Sequence, residues 1–448
     1  MASTQLQRTA VTSTENYKYT FSAWVKRTGV LGSSSLNEVL FSNWSDNNNS
    51  AYIRFEDQND NLHVFDKYGS TIDLNYQTNM KFRDPNAWYH IVVNVDGSRS
   101  ANQRCKIYVN GSEVSCSNTT DTGGTLAMKT VTTTNAMRLG AIRTSSGAEY
   151  YFSGLMSHVH YIDGTGYDAS YFGETDSTTG EWKIKTNVTG VTYGNNGFFV
   201  LKDGNSVTDQ SPNTNNFTVG AGTLTKTEDN PSNVFATLLS EYPSDPTGGF
   251  ANANTTAKSN ADSTWRAAMS SIATPPNGKY YMELKWSSGT HLIQGCVSST
   301  TIANNNFKDL TDSYTGNYLA LYGANYYSNG SSQGTYGVQL TSGNIGMMAI
   351  DRDNNKFWWG VNGSWGTGHN PATNTGGISL PGDTDDFWHF AISTYSNSGA
   401  GAYEFNFGNG YFGTTAISSE GSNASSIGKF EYDVPNGFTA LSTKGLNL

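Results

Sequence analysis

Apolar and polar side chains alternate along several short segments of this 448-residue chain, and this alternation most constrains its fold. In residues 19–25 the odd positions carry Tyr, Phe, Ala and Val, and residues 91–95 repeat the pattern with Ile and Val. Side chains two apart on a strand point to the same face, so the pattern predicts strands with one buried face. Glycine is common, with 48 residues, and charged residues make up only 14%, which is typical of short strands joined by tight turns. We therefore predict an all-β protein.

Length and charge limit the classes of function. A chain of 448 residues predicts two or three domains. The net charge of −10 argues against a nucleic-acid partner, because phosphate binding needs clustered Lys and Arg. No apolar run approaches the ~20 residues that span a bilayer, and residues 1–9 lack the apolar segment of a secretion signal. We expect no membrane insertion, and a protein made in the cytoplasm and released by cell lysis.

Strand patterns divide the chain into three segments. Residues 1–175 and 243–448 are each predicted to form a β-sandwich of the jelly-roll kind. Residues 176–242 are rich in Asn, Thr and Gly and contain one apolar run, residues 197–201, among turn-forming Asx and Pro positions. We predict that this segment is an ordered connector with short strands. The only helix that we expect spans residues 264–272.

The order of the motifs resembles two known families. Residues 21–27, 88–93 and 107–111 are similar to laminin-G/concanavalin A-like domains, whereas Asn406-Phe407-Gly408 and residues 433–441 resemble SPRY-like domains. The two domains in this order look like virion surface proteins of tailed bacteriophages, either tail fibres or capsid appendages. The resemblance implies binding rather than catalysis, a place on the virion surface, and a homo-oligomer. Its implied partners are a host-surface glycan or receptor and other virion proteins.

Patterns for catalysis are weak, so we predict no enzyme, no catalytic residue and no cofactor. Glycoside hydrolases need two carboxyl groups, one protonated and one ionised. Glu431 and Asp433 come nearest to the usual spacing, but Asn436 stands where the third acid should be. Glu56, Asp57 and Glu181 have no suitably spaced partner in the sequence. Distant acids could still converge in space, so a polysaccharide-degrading hydrolase stays the alternative function, followed by a purely structural capsid decoration or cement protein.

Metal-binding patterns are also incomplete, and we predict no metal ligand. Residues 351–355 resemble the start of a calcium loop, but Lys356 replaces the required Gly, so a β-turn is the better interpretation. Calcium held by Asp203 or Asp209 stays open. His158 and His160 could share one strand face, yet no nearby residue completes a tetrahedral site, and we interpret them as ordinary strand-surface imidazoles.

Two of the three cysteines fall close together in the predicted strand pairing. Asn110-Gly111 favours a two-residue hairpin turn, and counting outward places Cys105 opposite Cys116. Directly opposed Cα atoms lie within the range that a disulfide tolerates. We favour free thiols over a bridge, because a protein without a signal peptide folds in a reducing cytosol.

Ligand binding is predicted at aromatic residues among Ser, Gly and Asn, the composition that antibody loops use for contact. The first choice is the segment 322–336, in which the alternative is that the tyrosines merely cover the sandwich as part of a strand. The second is the stretch beyond the predicted hairpin at 348–363, and the third adjoins the Asn run at 47–49. The predicted residues are Tyr322, Tyr326, Tyr327, Tyr336, Trp359, Trp365 and Trp44.

Overall fold

A computed structural model describes residues 4–28, 37–56, 58–126, 128, 136–144, 149–202, 206–239, 249–305, 309–310 and 316–448. The chain forms two compact units, Met1–Lys226 and Thr227–Leu448. Both are built from antiparallel sheets, which confirms the predicted all-β fold with two sandwich-like domains. The boundary between the two units falls inside the segment 176–242, which was predicted to be a connector. Phe198 and Val200 of this segment pack in the core of the first unit. The helices of the described residues are too short and too polar to traverse a bilayer.

The first unit contains eighteen strands among the described residues and a 3-10 helix at Ala169–Tyr171. The strands are β1 (Gln5–Thr9), β2 (Lys18–Arg27), β3 (Glu38–Asp46), β4 (Asn49–Phe55), β5 (Asn61–Tyr68), β6 (Thr71–Lys81), β7 (Trp88–Asp96), β8 (Cys105–Val109), β9 (Ser112–Glu113), β10 (Cys116–Asp121), β11 (Ala136–Leu139), β12 (Ala141–Arg143), β13 (Glu149–Tyr151), β14 (Gly154–Asp163), β15 (Gly173–Thr175), β16 (Trp182–Ile184), β17 (Phe198–Val200) and β18 (Thr218–Ala221).

Two sheets of this unit enclose its core. Sheet A has the order β10-β6-β5-β4-β3-β11-β1-β18, and sheet B has the order β17-β14-β2-β7-β8-β9. The alternation seen in the sequence sets the register, since Phe21 of β2 pairs with Val93 of β7 and both side chains are fully buried. The outer face of sheet B is covered by a second apolar cluster, in which Ala169 and Phe172 pack on Val92.

The second unit contains seventeen strands among the described residues, one α-helix and two 3-10 helices, Pro371–Thr373 and Gly445–Asn447. The elements are β19 (Phe250–Ala251), β20 (Thr256–Ser259), β21 (Arg266–Met269), β22 (Lys279–Ser288), β23 (His291–Ser298), α1 (Ser299–Asn305), β24 (Tyr318–Tyr322), β25 (Asn325–Ser328), β26 (Ser331–Thr335), β27 (Ile345–Asp351), β28 (Lys356–Val361), β29 (Ser364–Trp365), β30 (Ile378–Ser379), β31 (Trp388–Tyr395), β32 (Gly401–Asn406), β33 (Tyr411–Phe412), β34 (Thr415–Ala416) and β35 (Thr439–Ala440).

Sheets C and D form the second sandwich. Sheet C has the order β19-β20-β32-β22-β27-β28-β29, with β30 beside β28 and β35 beside β22, and sheet D has the order β21-β31-β23-β24-β25-β26. Its outer faces are both partly covered: Phe430 and Phe438 pack on Trp358 of sheet C, and Leu310 packs on sheet D. The helix expected at 264–272 is wrong, because β21 in that segment pairs with β31 and its alternating side chains enter clusters on both faces of sheet D.

Candidate functional site

The outer face of sheet A presents a stacked aromatic pair. Tyr52 on β4 is directly opposite Phe65 on β5, and their ring centroids lie 5.0 Å apart with planes at 13°. The chain neighbours Ile53 and Val64 point the other way and are fully buried in the core. Both rings of the pair are half-buried, so part of each aromatic surface faces solvent. Strand alternation thus places a flat apolar surface on the outside of the sandwich.

A polar cluster fixes the side chains next to this pair. The Arg54 guanidinium lies 4.2 Å from the centre of the Tyr52 ring and 2.7 Å from a Glu56 carboxylate oxygen. The same carboxylate oxygen lies 2.5 Å from Nδ1 of His63, and Nε2 of His63 lies 2.8 Å from the side-chain oxygen of Asn75. Each group is held by at least one partner, so the cluster is preorganised before any ligand arrives.

The electrostatics of Glu56 oppose a role as a proton donor. Burial by itself raises the pKa of this carboxyl group, but the hydrogen bonds and charges of His63 and Arg54 outweigh burial and lower the pKa to about 2. Glu56 is therefore ionised throughout the ordinary pH range. A glycoside hydrolase also needs a protonated carboxyl group, and neither residue bonded to Glu56 supplies one.

Trp44, one of the predicted binding residues, lies on the same face of sheet A. It pairs with Ser50 on β4, and Ser50 is two residues from Tyr52 on an uninterrupted strand. Positions two apart share a face, so Trp44 and Tyr52 point to the same side of the sheet. The Trp44 ring is partly exposed, whereas its indole N–H is buried and has no hydrogen-bond acceptor among the described residues. We call Trp44, Tyr52, Arg54, Glu56, His63, Phe65 and Asn75 the sheet A face.

The predicted tyrosines of the second unit lie in a hairpin rather than in a loop. Tyr322, at the end of β24, is 36% exposed. Tyr326 and Tyr327 on β25 are half-buried and pack against opposite sides of sheet D. Tyr326 and Tyr327 therefore form part of a strand, as the alternative interpretation of this segment predicted. The ring of Tyr322 faces solvent.

Two predicted binding residues are buried in the core, and the expectation that they face a ligand is wrong. Trp359 is fully buried, and its indole N–H donates to the Gln294 carbonyl at 3.1 Å. Tyr336 is 3% exposed, with its ring 5.0 Å from Trp359 and 4.1 Å from His369. Sheet D covers this side of β28, so both rings serve packing. Trp365 is half-buried and packs on the outer face of sheet C.

Acidic residues considered in the sequence have structural partners. Asp433 accepts hydrogen bonds from Ser422, and Glu431 accepts them from Ser418. Asp351 accepts hydrogen bonds from Asn354, as in the predicted turn. Buried Asp209 accepts three backbone N–H groups, at distances of 2.7 to 2.9 Å. Asp57 and Asp203 lie outside the described residues.

The histidine pair does not lie on an open surface. His160 is 2% exposed, and its ring stacks on Phe199 at 3.8 Å, so its interpretation as a strand-surface imidazole is wrong. Sheet B is covered at this place by the cluster that includes Tyr193, whose hydroxyl lies 2.9 Å from Nδ1 of His160. Nowhere in the described part of the chain do three His, Cys, Asp or Glu side chains come together as metal ligands.

Cys105 and Cys116 are free thiols on strands of different sheets. The hairpin begins as predicted, with Val109 opposite Ser112, but the chain then crosses to sheet A, where Cys116 pairs with Thr78. The direct opposition of the two cysteines is therefore wrong. Both line a groove of about 490 Å³ together with Tyr76 and other residues.

The sheet A face could not be found from local sequence patterns. Tyr52, Phe65 and His63 sit in ordinary alternating strands, and only the strand order of the folded sheet brings them together. A detectable feature was the aromatic residue at an outward position in each of β4 and β5.

Comparison with known proteins identifies the first domain. Residues 2–166 match the family described as the concanavalin A-like lectin/glucanases superfamily. No curated protein sequence matches the chain with statistical significance. Among solved structures, the human HERC1 SPRY domain shares 15% identity with a TM-score of 0.25, over 32% of this chain and 81% of that one.

A heptameric SAP-like pentraxin from Limulus polyphemus is similar at 13% identity with a TM-score of 0.26, over 37% of this chain and 72% of the pentraxin chain. TM-scores this low support no inference about function from either structure. The family match stands apart from them, and it covers the strands that carry the sheet A face. Residues 2–166 are thus similar to a concanavalin A-like lectin/glucanase domain at the N-terminal end of the chain.

Proposed function

We propose that the first domain binds a saccharide on the sheet A face and does not hydrolyse it. The observation that carries the proposal is the solvent-facing stack of Tyr52 and Phe65 beside hydrogen-bonded Arg54, His63 and Asn75. A match to a lectin/glucanase family supports a carbohydrate ligand.

The chemistry of this face suits a sugar ring. One side of a pyranose presents C–H groups that pack on an aromatic ring, while its hydroxyl groups need donors and acceptors at the edge. Tyr52 and Phe65 supply the flat surface, and Arg54 and Glu56 supply a donor and an acceptor beside it. The partly exposed Trp44 ring adds a further aromatic surface on the same side of the sheet. Few polar groups at fixed positions beside an apolar surface are typical of ligand sites.

The state of Glu56 supports binding without turnover at the sheet A face. Retaining and inverting hydrolases both need a carboxylic acid whose pKa is raised, so that it protonates the leaving oxygen. The pKa of Glu56 moves the other way, to about 2, because His63 and Arg54 stabilise the carboxylate. Glu56 then acts as a hydrogen-bond acceptor and as the anchor of its two neighbours.

We further propose the virion surface of a tailed bacteriophage as the setting, with host-surface glycan as the ligand and several copies per particle. This part of the proposal rests on the motif order alone. Many copies would multiply weak single contacts into firm attachment. Electron microscopy of particles labelled with an antibody to this chain is the direct test, since tail tips favour receptor binding and an even distribution over the capsid favours decoration.

The binding proposal is tested with the full chain. A printed array of oligosaccharides of glucose, galactose and N-acetylglucosamine identifies the best ligand, and calorimetry with the same oligosaccharide in solution measures its affinity. Tyr52→Ala and Phe65→Ala should each weaken the best ligand at least about tenfold, a loss of ~1.4 kcal/mol. Tyr68→Ala is the matched control, because Tyr68 lies at the end of the same strand as Phe65 and is 38% exposed.

Two results would overturn the proposal. Unchanged binding in Tyr52→Ala and Phe65→Ala, with folding verified by circular dichroism, would place the ligand elsewhere. Release of reducing ends from the bound oligosaccharide, lost in Glu56→Gln, would mean that the domain hydrolyses its ligand.

A further inference from the structure

Four aromatic side chains come from adjacent strand positions across sheet D of the second domain, and their rings gather into one cluster, in which Trp265 also lies 5.8 Å from Tyr322. They come from four adjacent strands or strand ends: Trp265 directly before β21, Tyr395 on β31, His291 on β23 and Tyr322 on β24. Trp265 and Tyr395 lie 5.2 Å apart by ring centroids, Tyr395 and His291 lie 5.3 Å apart, and His291 and Tyr322 lie 6.0 Å apart. We call these four residues the sheet D row.

Along β21, β31, β23 and β24, the sheet D row is the accessible end of a face whose other residues are covered. Along the same strands and on the same side, Ala267, Ile293, Ala320 and Ala391 are at most 3% exposed beneath the cluster that contains Leu310. In the row itself, Tyr322 is 36% exposed, and the other three side chains are half-buried. The covering layer therefore stops before the end of the sheet, and aromatic surface is left in contact with water.

The row is also held rigidly from both sides. On the outside, the Tyr322 hydroxyl lies 3.0 Å from Nδ1 of His291. From the core side, the hydroxyl of Tyr403 contacts the backbone carbonyls of His291 and Tyr395, at 3.1 and 3.3 Å. Rings whose positions are fixed in advance lose little conformational freedom when a ligand binds.

Charge beside the row is balanced. Arg266, the residue after Trp265, forms an ion pair with Asp262 at 2.8 Å. The Thr290 hydroxyl, next to His291, donates to the Tyr395 carbonyl at 3.1 Å and accepts a bond from the Asn397 backbone N–H. The ion pair balances the charge of Arg266, so this residue adds no net charge near the four rings.

We propose that the sheet D row is a second saccharide-binding surface, which takes an uncharged pyranose stacked on Trp265, with the nearly perpendicular ring of Tyr322 at the edge of the sugar. An anionic lipid surface needs clustered Lys and Arg, which a paired Arg266 does not provide. A protein partner would need a larger continuous apolar area than four half-exposed rings. This site lies in a different compact unit from the sheet A face, so neither proposal depends on the other.

The test uses the full chain with Tyr52→Ala and Phe65→Ala already in place, so that binding at the sheet A face is removed. The probes are the same glucose, galactose and N-acetylglucosamine oligosaccharides, followed by array binding and by quenching of tryptophan fluorescence. Binding by this background variant should persist, and a further Trp265→Ala or Tyr322→Ala should lower the affinity at least tenfold.

Phe387→Ala is the matched control, because Phe387 is 48% exposed and directly precedes β31 at the end opposite to Tyr395. It should leave the affinity unchanged. If the background variant binds no probe, or if Trp265→Ala and Tyr322→Ala bind as tightly as Phe387→Ala, the sheet D row is not a saccharide site. If the unmodified chain shows a single class of sites that Trp265→Ala abolishes and Tyr52→Ala leaves intact, the sheet A proposal fails while this one stands.

Discussion

Nδ1 of His63 lies 2.5 Å from a carboxylate oxygen of Glu56 on the outer face of the first domain. Burial by itself raises the pKa of Glu56, but the contacts with His63 and Arg54 lower it more. The net result is a fall of the pKa from 4.5 to about 2. A lowered pKa contributes stability that is present above pH ~4.5 and is lost as the pH falls through about 2. Glu56→Gln should reduce the unfolding free energy at pH 7 by about 1 kcal/mol.

Urea unfolding of the first domain, measured between pH 2 and 7, checks this prediction. The unmodified protein should lose stability below pH ~4.5 more steeply than Glu56→Gln. Identical pH profiles would mean that the contact between Glu56 and His63 contributes nothing to folding. Glu113→Gln is a suitable control, because Glu113 is an exposed surface residue whose partner is Lys106.

Glu283 gives the second domain a pH dependence of the opposite sign. Burial raises the pKa of this carboxyl group to about 7, even though Tyr281, Asn406 and the backbone N–H groups of 431 and 432 all donate to it. A raised pKa contributes stability below pH ~4.5 that is lost as the pH rises through about 7.

Thermal unfolding between pH 4 and 8 should show this loss for the second domain. The slope should vanish in Glu283→Gln and persist in Glu404→Gln; a slope unchanged in Glu283→Gln would contradict the assignment.

A buried ion cluster in the first domain should be sensitive to loss of its cation. Arg27 is 1% exposed and contacts Glu38 and Asp60, which are 4% and 1% exposed. Arg27→Met leaves buried Glu38 without its cationic partner and leaves Asp60 with Arg83 alone, and it should cost about 3–5 kcal/mol in unfolding free energy. Arg83 also contacts Asp60 but is 58% exposed, so Arg83→Met should cost under about 1 kcal/mol. If chemical denaturation shows the same loss of unfolding free energy in both variants, the burial of the arginine does not determine the size of that loss.

Trp358 anchors the layer over sheet C. It is fully buried, its ring lies 6.3 Å from Phe438, and its indole N–H donates to the Thr375 carbonyl at 2.9 Å. Trp358→Ala should lower the unfolding free energy by about 3–5 kcal/mol, because it removes a large core side chain. Trp365→Ala, at a half-buried position in the same cluster, should cost clearly less. Differential scanning calorimetry of both variants compares them directly, and a smaller loss in Trp358→Ala would contradict the packing seen here.

Local patterns in the sequence predicted strands and hairpins well. The pairing of β2 with β7 follows from matched alternation, and the hairpin at 348–361 forms with Ala349 opposite Trp358. Counting across the Asn110-Gly111 turn succeeded as far as Val114, whose backbone N–H donates to the Ile107 carbonyl at 2.9 Å. It failed at Cys116, where the chain passes from sheet B to sheet A. The alternation of apolar and polar residues does not show that a chain changes sheets.

The candidate sites depend on contacts between strands that are distant in sequence, and this limits prediction. Trp358 and Trp359 point to opposite faces of β28, and both are buried because sheet C is covered on both sides. Alternation of apolar and polar residues predicts which face of the sheet a side chain points to, but it does not predict what covers that face. The sheet D row combines positions from 265 to 395, so Tyr322 was predicted alone and its three neighbours were missed.

The layer over sheet C comes from the last part of the chain, where residues such as Phe430, Val434 and Phe438 cover Tyr281 and Trp358. During translation every strand of sheet C except β35 emerges from the ribosome before this layer does. A nascent chain halted before Ile427 would thus carry a bare aromatic surface of the kind that chaperones hold and that promotes aggregation. Sheet C is thus protected from misassembly only after residues 427–438 have been made.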